Sequence, residues 1–80
     1  MATSIIQNNI RKLRFHAGEM TQQELADKAG VSRQTIVAIE KGNYSPSLEL
    51  AFRLARIFRT PLEEVFLYEP DKESPKKGSQ

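Results

Sequence analysis

Through the middle of the chain, apolar positions recur three and four residues apart, the period of helices that bury one face. Polar residues able to cap helices punctuate that period and predict where each helix starts. In "NNIRKLRFHAG", Ile10 and Leu13 share a face, Asn8 or Asn9 stands at the N-cap, and Gly18 marks the end. "TQQELADKAG" opens with a capping box of Thr21 and Glu24 and closes at Gly30 after the apolar Leu25, Ala26 and Ala29. Ser32 caps a third helix that runs to about Lys41, with Ile36 and Ile39 facing inward and Gly42 as its stop. After the loop "NYSPS", Ser47 caps "LELAFRLARIF", whose stripe of Leu50, Ala51, Leu54, Ala55 and Phe58 is expected to be buried. "TPLEEVF" repeats the signal in miniature, with Thr60 at the N-cap, Pro61 at N1 and Glu63 at N3.

The ends break this period. "VFLYE", residues 65–69, is β-branched and aromatic, and "TSII" near the N-terminus is similar, so a short two-stranded pairing of the chain ends is expected. From Pro70 onward "PDKESPKKGSQ" has no large apolar residue to anchor it, and residues 70–80 are expected to form a disordered tail beyond one domain of residues 1–69. The expected fold class is all-α: a compact five-helix bundle containing a helix-turn-helix, with that short β pairing added.

A chain of 80 residues buries only about 60% of its unfolded surface, so its core is small and a partner subunit would add to it. It has no cysteine, which removes disulfides and thiolate metal sites. No segment approaches the ~20 apolar residues of a membrane span, and "MATSIIQNNIRK" lacks the order of a signal peptide. No membrane association and a cytoplasmic location are therefore expected. The net charge of +2 conceals an asymmetry: residues 1–60 hold nine basic and five acidic side chains, residues 61–80 three and five. A slightly basic body suits a polyanionic partner without demanding one.

The unit formed by the second helix, a tight turn and the third helix carries more information. Two helices that cross steeply after a short turn need a small residue where their axes approach, a residue tolerant of positive φ at the turn, and branched apolar side chains to hold the second helix down. Ala26, Gly30, Val31, Ile36 and Ile39 meet those needs. At about 100° per residue, Arg33, Gln34, Val37, Ala38 and Lys41 then fall on one outward face that contains no acid.

The run "TQQELADKAGVSRQTIVAIEKGNYSPSLELAFRLARIF" resembles the helix-turn-helix domain of the Cro and C1 repressor-like family, also called the XRE family, over roughly residues 8–66. "VSRQTIVAIEKGNYSPSLELA" followed by "TPLEEVF" is similar to its small single-domain regulators. The resemblance implies a five-helix DNA-binding domain whose third helix, about residues 32–41, enters the major groove. Arg bonds bidentately to guanine, Gln to adenine, and small apolar side chains touch the thymine methyl, so Arg33, Gln34, Val37 and Ala38 suit base reading.

Gln22 sits at the start of the second helix, where open N–H groups and the helix dipole favour an anion. The resemblance makes it a phosphate contact that also braces the recognition helix. Thr35, Lys41, Asn43, Tyr44 and Ser45 are placed to bond neighbouring phosphates, with packing on the fourth helix an even alternative for Tyr44. The resemblance also implies a scaffold pair of Arg14 with Glu40. "FHAGEM" makes the connection after the first helix one residue longer than is usual in the family. Arg11 and Lys12 read as solvated surface, with added charge toward the DNA backbone as the alternative for either; Arg53, Arg56 and Arg59 on the fourth helix read as solvated surface.

Two copies of such a domain can read half-sites about 34–36 Å apart and add their base contacts. Phe52 and Ile57 lie off the main core arc of the fourth helix, while Phe66, Leu67 and Tyr68 crowd the end of the domain. A homodimer interface of Phe52, Phe66, Leu67 and Tyr68 is expected, closure of the protomer's own core or pairing with the N-terminal strand being the other use of these residues. Enzyme chemistry is not expected, since His16 is the single histidine, Glu63 and Glu64 diverge on a helix, and there is no phosphate loop or metal-ligand cluster. No metal and no cofactor are implied. The expected function is that of a sequence-specific DNA-binding transcriptional regulator, a repressor that holds a palindromic operator in double-stranded DNA as a homodimer. The alternative is an antitoxin or coactivator of the same fold that works mainly through a small protein partner.

Overall fold

Where each helix begins depends on which side chain takes up the N–H groups that its first turn leaves open. In the computed structural model, which describes residues 6–68, three of the five starts follow the capping pattern closely. Helix α2 (Gln22–Ala29) has the complete capping box: the Glu24 N–H donates to Thr21 Oγ1 at 3.0 Å and the Thr21 N–H to Glu24 Oε1 at 2.8 Å. Ser32 Oγ accepts from the Thr35 N–H at the head of α3 (Arg33–Glu40), and Ser47 Oγ from the Leu50 N–H at the head of α4 (Leu48–Phe58).

The start of the first helix falls at the expected asparagines, which divide the work between them, and the start of the fifth departs from expectation. Asn9 occupies the N-cap position of α1 (Ile10–His16), yet the side-chain acceptor there is Asn8 Oδ1, which receives the Ile10 N–H at 3.2 Å. The Asn9 amide turns instead to the Glu64 carbonyl, at 3.0 Å. Thr60 does not cap α5 (Leu62–Val65); its hydroxyl donates back to the Phe58 carbonyl, and the Pro61 carbonyl takes the Glu64 and Val65 N–H groups. Helix α5 therefore begins one residue later than "TPLEEVF" predicts, with Pro61 outside it. The cause lies in Arg59, whose left-handed backbone (φ 53°) folds the chain so that the Thr60 N–H reaches the Ala55 carbonyl and its side chain faces α4.

Helix α1 likewise stops at His16, and the longer connection that follows is built from two successive left-handed residues, Gly18 and Glu19. The ends of the described chain pair as antiparallel strands β1 (Ile6–Asn8) and β2 (Phe66–Tyr68), with Gln7 opposite Leu67. Thr3, Ser4 and Ile5 of "TSII", and the expected tail at 70–80, lie outside the described residues. The architecture is the expected one: five helices and a two-stranded antiparallel sheet.

Ile10, Leu25, Ile36, Ile39, Leu54 and Val65 are fully buried, one or two from each helix, with Ala26 and Ala29 among them. The α2–α3 turn fits around this core. Gly30 has φ 74°, and the Val31 N–H closes back onto the Ala26 carbonyl at 3.0 Å. Space is not what requires glycine there, since an added Cβ would meet its nearest neighbour, Arg53 Nη1, at an ordinary 3.6 Å; the backbone conformation is. Arg53 is exposed, as expected, but it is not idle. Its guanidinium donates to the Ala29 carbonyl at the end of α2, at 2.7 Å, and to Glu49, at 2.8 Å, so α4 holds the turn by a cation at a helix C-terminus. Ile57, Phe58 and Phe66 pack against the core, which removes Ile57 from the outward set.

Candidate nucleic-acid interface

Helix α3 presents its N-terminal turn to solvent. Arg33 and Gln34 are exposed and make no hydrogen bond among the described residues, whereas Val37 and Ala38, one turn on, are half-buried. The face predicted from the helical period is therefore real but graded, polar and free at its head and apolar and flush at its middle. Thr35, at the edge, shares a 3.0 Å contact between its hydroxyl and that of Ser32, so its hydroxyl already has a local partner.

The far end of α3 is built differently. Glu40 carries the only carboxylate, among the described residues, that lines an open cleft of about 460 Å³ between α1, α2 and α3, whose other walls are Arg11, Arg14, Gln22, Val37 and Lys41. Its side chain is 9% exposed and takes donors from two elements: Arg14 Nε at 2.7 Å and Nη2 at 3.1 Å from α1, and Gln22 Nε2 at 3.2 Å from the first residue of α2. Arg14 also donates through Nη1 to the Met20 carbonyl, at 2.8 Å, which fixes the guanidinium against the α1–α2 connection. A carboxylate held bidentately by arginine and again by an amide presents little unbalanced negative charge. The cleft is thus lined by three cations and one neutralised acid, and it lies at the head of α2, where the first N–H groups have no intrahelical partner.

The remaining expected residues divide. Lys41, Asn43, Tyr44 and Ser45 are exposed beyond the C-terminus of α3. Tyr44, 49% exposed, lines a hollow at the strand end of the molecule with Ile6, Pro46 and Phe66. Of the four residues expected at a dimer interface, Phe52 (50% exposed) and Tyr68 (67%) are open, Leu67 is half-buried, and Phe66 is largely taken up by its own core. Leu48, one turn before Phe52, is an exposed apolar neighbour that the helical pattern of α4 left unremarked.

Arg11 is exposed, as expected, and stands on the cleft wall beside Gln22 and Lys41, which favours the alternative of charge toward the DNA backbone. Its spacing of three from Arg14 carried that signal, because residues three apart share a helix face. No group of histidine, cysteine and carboxylate side chains suited to a metal ion occurs among the described residues, and no described helix is long and apolar enough to cross a membrane.

Comparison with known proteins agrees with this geometry. The family described as helix-turn-helix matches residues 10–65, which spans all five helices. The chain is 52% identical over 63 residues to an uncharacterised helix-turn-helix-type transcriptional regulator of Methanocaldococcus jannaschii, covering 76% of this chain and 96% of that one. It is 46% identical over 67 residues to a regulator of the same description from Archaeoglobus fulgidus, covering 84% and 94%. It is 38% identical over 58 residues to the cryptic phage CTXphi transcriptional repressor RstR of Vibrio cholerae, covering 72% of this chain and 51% of the repressor. From a family match that runs from the buried Ile10 to the buried Val65, and from relatives aligned over nearly their whole length, the chain belongs to the Cro/C1-type helix-turn-helix family of DNA-binding transcriptional regulators.

Proposed function

We propose that this protein is a cytoplasmic repressor that binds a palindromic operator in double-stranded DNA as a homodimer. Its family is one of DNA-binding regulators and not an enzyme class. The observation that carries the reading is the head of α3, where the Arg33 and Gln34 side chains project without a hydrogen-bond partner among the described residues, on a helix whose other end is fastened from two neighbouring elements. Arg33, Gln34, Val37 and Ala38 read base edges in the major groove. Gln22, Arg11, Lys41, Asn43, Tyr44, Ser45 and Thr35 hold phosphates on either side and set the register. Arg14 and Glu40 are the scaffold that keeps the cleft from repelling them. The name of the Vibrio cholerae relative supports repression as the sign of regulation.

A second copy docks through Phe52, Leu67 and Tyr68, with Phe66 behind them, which joins two reading helices on one face of the duplex. Selection of duplexes from a random pool at two salt concentrations tests this reading. It is expected to return one palindromic motif, with log affinity falling linearly as log salt rises. Arg33→Ala is expected to relax one position in each half-site, while Lys41→Ala weakens all duplexes alike and reduces the salt slope by about one. A pool with no enriched motif, together with a small protein that co-purifies and is lost when Leu67 is changed, overturns the proposal in favour of a protein-partner role.

A further inference from the structure

We infer that Asn8 is a positioning residue for DNA reading: its side chain ties the C-terminal end of α3 to the terminal strands and so sets the angle at which the helix offers Arg33 and Gln34. The inference rests on the DNA-reading role proposed above.

Asn8 lies in β1 opposite Phe66 of β2. Its Nδ2 donates to the Ile39 carbonyl at 2.9 Å, across 31 residues of sequence, and its Oδ1 accepts the Ile10 N–H at 3.2 Å. These two partners decide the amide's orientation. Turning it over would face an NH₂ to an N–H and a carbonyl to a carbonyl, two repulsive contacts in place of two bonds. The next residue fixes the strand in turn: the Asn9 N–H bonds the Val65 carbonyl at 2.9 Å and its side-chain amide the Glu64 carbonyl at 3.0 Å. The sequence "NN" thus fans out to three helices, capping α1 with one group while holding the ends of α3 and α5 with three others.

The bond to Ile39 has a mechanical consequence. Helix α3 has eight residues, about 12 Å of rise, so a small shift at its last turn tilts its first turn and displaces Arg33 and Gln34. It has little consequence for stability, because the Ile39 carbonyl also accepts the Gly42 N–H at 3.0 Å and would not be orphaned by losing Asn8. A residue that only supported the fold would weaken every complex equally. One that aims the reading helix should lower the preference for the right sequence and spare binding through phosphates.

Asn8→Asp separates the two functions of the side chain, since it keeps the acceptor for the Ile10 N–H and removes the donor to Ile39; Asn8→Ala removes both. Affinity is measured for the duplex recovered by selection and for a scrambled duplex of the same composition, at a temperature where circular dichroism shows each variant folded. The ratio of the two affinities is expected to fall about tenfold in both variants, the worth of roughly one misread base pair. The added charge of Asn8→Asp lowers both affinities together and cancels in that ratio. Faster hydrogen exchange of the Gly42 N–H, with the Leu25 N–H of α2 unchanged, is expected alongside. A ratio within twofold of the parent's, or unchanged exchange at Gly42, overturns the inference. A parent chain that grips both duplexes alike instead overturns the DNA-reading proposal, an outcome the Gly42 exchange measurement keeps distinct.

Discussion

The two ends of α3 are held by opposite means. Its head depends on neighbours in sequence: Ser32 caps Thr35, and nothing else among the described residues bonds the side chains of that turn. Its foot depends on residues 18, 26 and 31 positions away, Gln22 and Arg14 on Glu40 and Asn8 on the Ile39 carbonyl. The difference follows from what each end must do. A side chain that reads a base edge loses that ability if the protein already satisfies its donors, so a local backbone cap is the bond that leaves Arg33 and Gln34 available. The foot has the reverse requirement, because an acid beside a polyanion must be neutralised, and Glu40 is neutralised by groups that double as walls of the cleft.

The contrast can be broken most severely at the foot. Glu40→Ala leaves the Arg14 guanidinium, 15% exposed, without its counter-charge, and is expected to lower unfolding free energy in urea by about 3 kcal/mol. A loss below about 1 kcal/mol would mean that the pair behaves as an exposed one and that the foot is not anchored. At the head, Gln34→Ala is expected to cost about 2 kcal/mol of base discrimination in competition binding. The same substitution should change the unfolding free energy in urea by no more than about 0.5 kcal/mol, because an exposed side chain with no partner among the described residues supports nothing. Ser32→Ala is expected to cost about 1 kcal/mol of stability by opening the Thr35 N–H, the signature of a purely local attachment. The smallest effect is expected away from both ends. Glu49→Gln removes an exposed i,i+4 partner of Arg53 and should cost roughly 0.4 kcal/mol, while the Arg53 bond to the Ala29 carbonyl holds the turn.

Much of the fold is legible along the chain because its signals act within one helical turn. Thr21 with Glu24, Ser32 with Thr35 and Ser47 with Leu50 are each three apart, and a side chain of that length reaches that N–H whatever the rest of the chain does. The failure at Thr60 shows the limit of that logic: its local pattern was correct, and the left-handed Arg59 turned it away. The candidate site is legible at its reading face, where a period of 3.6 sorts Arg33 and Gln34 from Ile36 and Ile39. Its walls are legible in part: Gln22, Val37 and Lys41 are marked by their places on helices, whereas the contacts of Arg53 and Asn8 reach helix ends two or three elements away.

By itself the sequence determined where helices start, which face of each is apolar, and that a steep turn lies between α2 and α3, because these depend on residue size, backbone freedom and hydrogen bonds spanning three or four positions. Only the tertiary structure decided how the Glu40 carboxylate is shared between Arg14 and Gln22, how the Asn8 amide is turned, and that Arg11 lines the cleft. Those outcomes depend on the distances between packed helices, set by the shape of the shared core built around Ile10, Leu25, Ile36 and Val65.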